Sequence, residues 1–491
     1  MAEDDAVGRR AITVSESLET RLRSALSQHQ TVLVTFAITL VVFLVYNFLG
    51  PPATIFNNFV LLGDAFLHGR VEIVDAVDPS HIEYALNNGK LYIIPPPWPA
   101  IILLPGILIF GLDLNQTLAG AVLGAIAAAI AFSVVRSMTE RLSTQIWLTA
   151  LFFFGTVYFY AAADGSVWFF SHTVAVLFLF AAIYFTIVRK NPLIAGLCLG
   201  AAFWTRQPTI LTLPFFLIMF SDQWLRPPAA GSLIERINLK PLLQLGSGIG
   251  VFVLASFAYN FARFDTPLDA SQHHLPERVR AQPWFNHGPF DPRYISRHVT
   301  VFFESMPIVQ SQAPYILPSW GGMAFWASTP AFFYALFNRV RDRRLIILGI
   351  GIIAVTTAII ISRAIASYWD AGWATYTFPS KINIAPFYLL ILAAIYLGRK
   401  DKLVLACWAA IIPTALMLFT FAGTGFSQFG YRFALDFMPF LFLLTIKAMG
   451  PDLKWHHKTL IVASIVANLW GVVWIHQFAQ SGYLGLEWVR F

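Results

Sequence analysis

Long apolar stretches separated by short polar connections follow one another along the whole chain. A helix of about 20 apolar residues crosses the hydrocarbon core of a bilayer. The pattern predicts thirteen membrane-spanning helices, at 31–49, 115–135, 145–163, 168–187, 192–205, 208–221, 242–262, 322–338, 345–362, 384–398, 403–421, 433–447 and 459–477. The sequence therefore predicts an all-α polytopic membrane protein, with a single transmembrane domain over residues 31–491.

Composition supports this class and argues against others. Of the 491 residues, 57% are hydrophobic and 12% are charged, which is about half the charged fraction of a soluble domain. The net charge of +7 does not indicate nucleic-acid binding, because the basic residues stand in short clusters between apolar stretches. The two cysteines, Cys198 and Cys407, both lie within apolar stretches, which argues against a disulfide scaffold.

The basic clusters predict the orientation, because cytoplasmic connections of membrane proteins carry an excess of Lys and Arg. With the N-terminus in the cytoplasm, the clusters fall on the cytoplasmic side of the plasma (inner) membrane and the C-terminus lies outside. The apolar segment 95–111 must then not cross, and its shortness and prolines predict a juxtamembrane or re-entrant helix. Residues 1–30 are cytoplasmic in this topology, with an amphipathic helix indicated by regularly spaced leucines.

Two outer loops, 51–114 and 263–321, are long enough to cap an outward-facing site. The first follows the first apolar helix directly and holds the largest cluster of ionisable residues: Asp64, Asp75, Asp78, His81, Glu83 and Lys90. Ionisable groups at the edge of a membrane are costly unless they face water or a partner, so they are functional candidates. The alternative for each residue alone is a solvated loop charge.

Two carboxylates of this loop are candidate proton acceptors, since transfer of a group onto a hydroxyl requires a base. Glu83 stands near His81 and Lys90, which favours an ionised carboxylate, and ranks first. Asp64 lies within an apolar run that reads as a surface helix. It ranks second as a base and is a candidate for orienting the acceptor or holding a metal.

Two further segments carry arginines near predicted helix ends. Arg206 lies between two short apolar helices, where its planar guanidinium suits a phosphate, or alternatively reaches the membrane interface as a snorkelling side chain. The segment that holds Gln428, Tyr431 and Arg432 also contains Asp436. Arg432 and Asp436 are four apart, so an ion pair along one helix face is the simpler alternative.

These segments together resemble the integral-membrane glycosyltransferases of the GT-C superfamily. The resemblance rests on NNFVLLGDAFLHGR, NNGKLYIIPPPWPAIILLP, FGTVYFYAAADGSVWFFSH, FWTRQPT and FSQFGYRFALDF, and it covers most of the chain in topology. It implies transfer of a sugar from a polyprenyl-phosphate donor to a lipid or glycan acceptor at the outer face. Family members carry a catalytic acid at the start of the first outer loop, where this chain reads PPATIFNN and has none.

The resemblance also implies roles for the candidate residues. Glu83 and Asp64 are the expected bases, and Arg206, Arg432 and Lys90 the expected contacts of the donor phosphate. His81, Gln428 and Tyr431 complete the substrate-binding candidates. The resemblance establishes no cofactor and leaves a divalent metal open, because some members use one and others do not. A polyprenyl-lipid or polysaccharide flippase or transporter remains an alternative function, as does a non-catalytic GT-C-like protein.

Overall fold

The computed structural model describes residues 29–74, 83–226, 236–309, 315–318, 321–338, 343–362, 385–425 and 428–479. These residues form mostly helices with two small antiparallel hairpins. Up to the second outer loop, the elements are α1 (His29–Leu49), α2 (Asn58–Leu67), β1 (Tyr84–Asn87), β2 (Lys90–Ile93), α3 (Trp98–Phe110), α4 (Gln116–Met138), α5 (Leu142–Phe154), α6 (Tyr158–Asp164), α7 (Val167–Ile187), α8 (Pro192–Phe203), α9 (Leu213–Met219), α10 (Ser221–Trp224) and α11 (Leu239–Phe264).

The remaining elements, from the second outer loop onward, are also mostly helices. They are α12 (Glu277–Arg280), α13 (Ile295–Val299), β3 (Ile308–Val309), β4 (Ile316–Leu317), α14 (Phe325–Ser328), α15 (Arg343–Ser362), α16 (Ala385–Gly398), α17 (Lys402–Phe419), α18 (Met438–Met449) and α19 (Trp455–Val473). Three-residue-per-turn helices at Gln207–Thr212, Pro330–Phe337 and Arg432–Asp436 interrupt this pattern.

Six helices of the described residues are long and apolar enough to cross a membrane. Five of them are α1, α4, α7, α11 and α17, and the sixth is Trp455–His476, which extends α19 to His476. A seventh arises if α5 and α6 form one span, although a break bends this pair by 60°. The prediction of a mainly helical, membrane-type protein is therefore confirmed.

The other predicted spans coincide with shorter apolar helices. Segments 192–205, 384–398 and 433–447 correspond to α8, α16 and α18, which have 12, 14 and 12 residues. Segment 322–338 is divided between α14 and the three-residue-per-turn helix Pro330–Phe337. Thirteen crossings are thus not confirmed. The proline-rich segment 95–111 contains the 13-residue helix α3, as short as expected.

Successive helix connections alternate between two ends of the molecule. One end, here called the basic end, joins α4 to α5, α7 to α8, α16 to α17 and α18 to α19. Ion pairs tie these connections together, including Arg141–Asp452 at 2.6 Å and Lys447–Asp401 at 2.9 Å. The opposite end, here called the site end, holds the start of α4, the α6–α7 turn and the end of α8.

The interior between the two ends is closely packed and largely aromatic. Phe152 of α5 contacts Phe180 of α7 and Phe442 of α18, with ring centroids 4.8 and 5.1 Å apart. The backbones of helices α8 and α11 are in close contact at Gly196, which has no side chain. A Cβ at this position would lie 2.2 Å from the carbonyl oxygen of Leu245. This packing holds the helix ends in fixed relative positions.

The first outer loop folds into α2, the β1–β2 hairpin and α3. Asn88 and Gly89 both have positive φ, of 50° and 74°, which is the two-residue turn that Asn-Gly sequences favour. The buried guanidinium of Arg263 joins this hairpin to α11 by donating to the carbonyl oxygen of Ile93 at 2.8 Å. The hairpin therefore has a tip at Asn88 and an anchored base beside Glu83.

Candidate functional site

The centre of the site end is the three-residue-per-turn helix Arg432–Asp436. Its entry is fixed by Gln428, which is buried, donates to the carbonyl oxygens of Gly321 and Thr424, and accepts the Arg432 backbone N–H at 3.1 Å. The ring of Phe433 contacts two guanidinium groups, with its centroid 5.4 Å from that of Arg432 and 5.6 Å from that of Arg206. Two arginines predicted separately from sequence are therefore neighbours.

Tyr431 is a supporting residue of this segment. Its hydroxyl lies 2.7 Å from Nδ1 of His298, and Nε2 of His298 lies 2.7 Å from the carbonyl oxygen of Phe421. Because a carbonyl only accepts, Nε2 carries the proton and Tyr431 donates to Nδ1. Burial lowers the pKa of His298 to about 3, so the ring stays neutral. Tyr431 and Gln428 thus fix the position of Arg432.

Glu83 lies at the base of the hairpin and interacts electrostatically with Arg432. Its side chain is 6% exposed and accepts a hydrogen bond from the indole N–H of Trp168, at the start of α7. Burial raises the pKa of Glu83 to about 7, and the Trp168 hydrogen bond and the Arg432 charge oppose that rise. A carboxyl group with such a pKa exchanges a proton readily near neutral pH.

Asp164 is a second carboxylate that interacts with Arg432. It ends α6, and its Oδ1 accepts the Ser166 backbone N–H at 2.9 Å. Its Oδ2 lies 3.3 Å from Nε2 of His476, whose ring stacks on Tyr160 with centroids 4.9 Å apart. Arg432 therefore interacts electrostatically with two carboxylates, one at the base of the hairpin and one at the end of α6.

Arg206 makes a two-pronged ion pair with Asp436. Its Nε lies 2.6 Å from Oδ1 and its Nη2 2.8 Å from Oδ2. Asp436 is fully buried, whereas Arg206 is 17% exposed. His172 of α7, also buried, places Nδ1 3.5 Å from the same carboxylate. The guanidinium edge predicted to bind a phosphate is thus occupied by a carboxylate of the protein itself.

The remaining sequence candidates lie apart from this centre or outside the described residues. Lys90 forms an ion pair of 3.0 Å with Glu72 at the hairpin tip. Four residues of strand separate it from Glu83, about 13 Å at the usual rise. Asp64 lies beside His68 and Arg70, at 3.4 and 4.0 Å. His81 falls outside the described residues, as do the predicted N-terminal amphipathic helix and the C-terminal tail.

Two members of the site were missed by sequence reasoning. Trp168 and His476 lie in strongly apolar segments, where aromatic residues ordinarily serve packing. His476 is the last residue of a membrane-length helix, and a lone histidine at such a helix end is the one signal that pointed to it.

No group of three or more His, Cys, Asp and Glu side chains that would hold a metal ion occurs among the residues that the structure describes. The divalent metal that the resemblance allows thus has no assigned ligands. No protein-family model, curated protein or solved structure matches this chain.

Proposed function

We propose that this chain is a membrane-embedded glycosyltransferase that moves a sugar from a polyprenyl-phosphate donor to a lipid or glycan acceptor. The observation that carries the proposal is Arg432 at the site end, a buried cation that interacts electrostatically with the carboxylates of Glu83 and Asp164. A cation for a departing phosphate and a carboxylate for an acceptor proton are the two groups that this reaction requires.

The reaction proceeds by in-line displacement with inversion. The acceptor hydroxyl loses its proton to a carboxylate as its oxygen bonds to the anomeric carbon. The bond from that carbon to the phosphate oxygen breaks, and its electron pair leaves with the polyprenyl phosphate. Arg432 stabilises the negative charge of this leaving group. Arg206 lies 5.6 Å from the ring of Phe433, but its charge is paired with that of Asp436, so Arg432 is the cation that acts on the phosphate.

The proposal includes the GT-C-like arrangement expected from the sequence, with thirteen crossings, a cytoplasmic N-terminus and the site end outside the plasma membrane. Support comes from the separation of charges along the helices. Ion-paired basic residues gather at the basic end, as the positive-inside rule expects of the cytoplasmic side. Glu83, Asp164 and Arg432 gather at the opposite end, beside the loops 51–114 and 263–321.

The test uses the full chain reconstituted in lipid nanodiscs with a panel of polyprenyl-phosphate sugars and lipid acceptors. Mass spectrometry measures consumption of the donor and release of polyprenyl phosphate. At least one donor is expected to be consumed, and Arg432→Gln should abolish its turnover. Arg293→Gln is the matched control, because Arg293 is 64% exposed and pairs only locally, with Asp291. Failure to bind or consume any donor contradicts the proposal.

A flippase or transporter for polyprenyl-linked lipids is the second candidate. The 60° break between α5 and α6 favours it, since transporters bind their cargo at broken helices. Asp164 lies at the end of this broken pair. The two functions separate in one assay: a transporter moves labelled polyprenyl-phosphate sugar across a liposome membrane intact, whereas a transferase cleaves it.

A further inference from the structure

The α6–α7 turn holds Asp164 in a single backbone conformation. Gly165 follows with φ of +72°, and a Cβ there would lie 2.3 Å from the Cα of Thr117. The side chains of two α4 residues secure the turn: Thr117 donates to the carbonyl oxygen of Asp164 at 3.1 Å, and Gln116 to that of Gly165 at 2.8 Å. The carboxylate is therefore presented from a rigid support, as proton transfer requires.

The carboxylate itself is oriented by two donors. Ser166 donates its backbone N–H to Oδ1, and Oδ2 faces Nε2 of His476. His476 is buried and stacked on Tyr160 at an interplanar angle of 17°, so its ring is fixed as well. Asp164 retains 14% side-chain exposure, whereas His476 has none, so the Asp164 side chain is not fully enclosed.

Glu83 differs from Asp164 in ways that matter for a base. It is more deeply buried, and its Oε1 is bound by the Trp168 indole. It projects from the hairpin rather than from the helix bundle. These features suit a residue whose charge supports Arg432, whereas Asp164 is the more exposed of the two acids that interact with that arginine.

We propose that Asp164 is the catalytic base of the transferase and that His476 is its positioning residue. This inference rests on the proposed function. Asp164 accepts the proton of the acceptor hydroxyl as the oxygen attacks the anomeric carbon, and Arg432 stabilises the phosphate that leaves. The imidazole N–H of His476 stabilises the ionised carboxylate and directs its free lone pairs toward the acceptor.

The test compares Asp164→Asn and Glu83→Gln in the nanodisc assay, with donor binding measured separately. Asp164→Asn should lower turnover about 10²- to 10⁴-fold, the usual cost of losing a general base, with donor binding retained. Glu83→Gln should lower turnover less than tenfold. Asp452→Asn is the control and should leave turnover unchanged, since Asp452 is 62% exposed and pairs with Arg141 at the basic end, away from the site.

His476 variants distinguish positioning from a merely structural role. His476→Gln keeps an N–H donor and should retain most of the turnover, whereas His476→Phe keeps the stacking on Tyr160 but loses the donor. In His476→Phe the acidic limb of the rate profile should move to higher pH, because the ionised carboxylate has lost a hydrogen bond. Near-full turnover in Asp164→Asn, with an active wild type, overturns this inference alone. A wild type that consumes no donor overturns the proposed function and this role together.

Discussion

The buried ion pair between Arg206 and Asp436 makes a sharp prediction about stability. Replacing Arg206 with Ala leaves a fully buried carboxylate without its two-pronged partner. Leaving one charge of a buried pair uncompensated costs about 3–5 kcal/mol of unfolding free energy. Arg206→Ala should therefore destabilise the protein by that amount, reduced somewhat because Arg206 is 17% exposed and water can partly replace it.

The pair between Arg293 and Asp291 is the matched control. Its geometry is nearly the same, with Nε–Oδ1 and Nη2–Oδ2 both at 2.8 Å. Arg293 is 64% exposed, so solvent screens the interaction. Arg293→Ala should therefore change the unfolding free energy far less than Arg206→Ala, although both substitutions remove two hydrogen bonds.

A double substitution tests the cause of the effect. Arg206→Met combined with Asp436→Leu removes both charges and keeps apolar volume, so it should recover most of the stability lost in Arg206→Ala. Unfolding by denaturant in mixed micelles, followed by the fluorescence of the 15 tryptophans, measures all of these variants. Equal stability of Arg206→Ala and wild type, or a double variant less stable than Arg206→Ala, refutes the reasoning.

Three further predictions concern the hairpin and its contacts. Burial raises the pKa of Glu83 from 4.5 to about 7, so between these pH values the folded state binds a proton that the unfolded state has lost. The stability that this proton contributes is fully present below pH 4.5 and is lost as the pH rises through about 7, a loss of roughly 3 kcal/mol. Glu83→Gln should flatten this dependence of the unfolding free energy on pH. Trp168→Phe removes a hydrogen bond that lowers this pKa, so the decline in stability should move to higher pH, and an unmoved profile contradicts the contact. Arg263→Ala should expose the hairpin to limited proteolysis while Arg263→Lys protects it only in part, because lysine lacks the fork that reaches both Ile93 and Asn260.

The helices were the more predictable part of the fold, because apolar stretches and their polar boundaries are local properties. Asn115, Asn191 and Asp401 accept backbone N–H groups at the starts of α4, α8 and α17, close to the predicted starts. Helix length was less predictable. The stretch 433–447 is apolar except for Asp436, Thr445 and Lys447, yet its first four residues belong to the three-residue-per-turn helix Arg432–Asp436, and hydrophobicity does not register that change.

Sequence reasoning could predict only those site residues that are charged and stand in apolar surroundings along the chain. Arg206, Arg432 and Glu83 met that condition, but their partners lie far along the chain: Asp436 is 230 positions from Arg206, and Trp168 is 85 from Glu83. The spacing of Arg432 and Asp436 was also misleading. Residues four apart share a face in an α-helix, but in a helix of three residues per turn they point about 120° apart. Asp436 is thereby directed to Arg206, while Arg432 interacts electrostatically with Glu83 and Asp164, the two carboxylates on which the proposed chemistry depends.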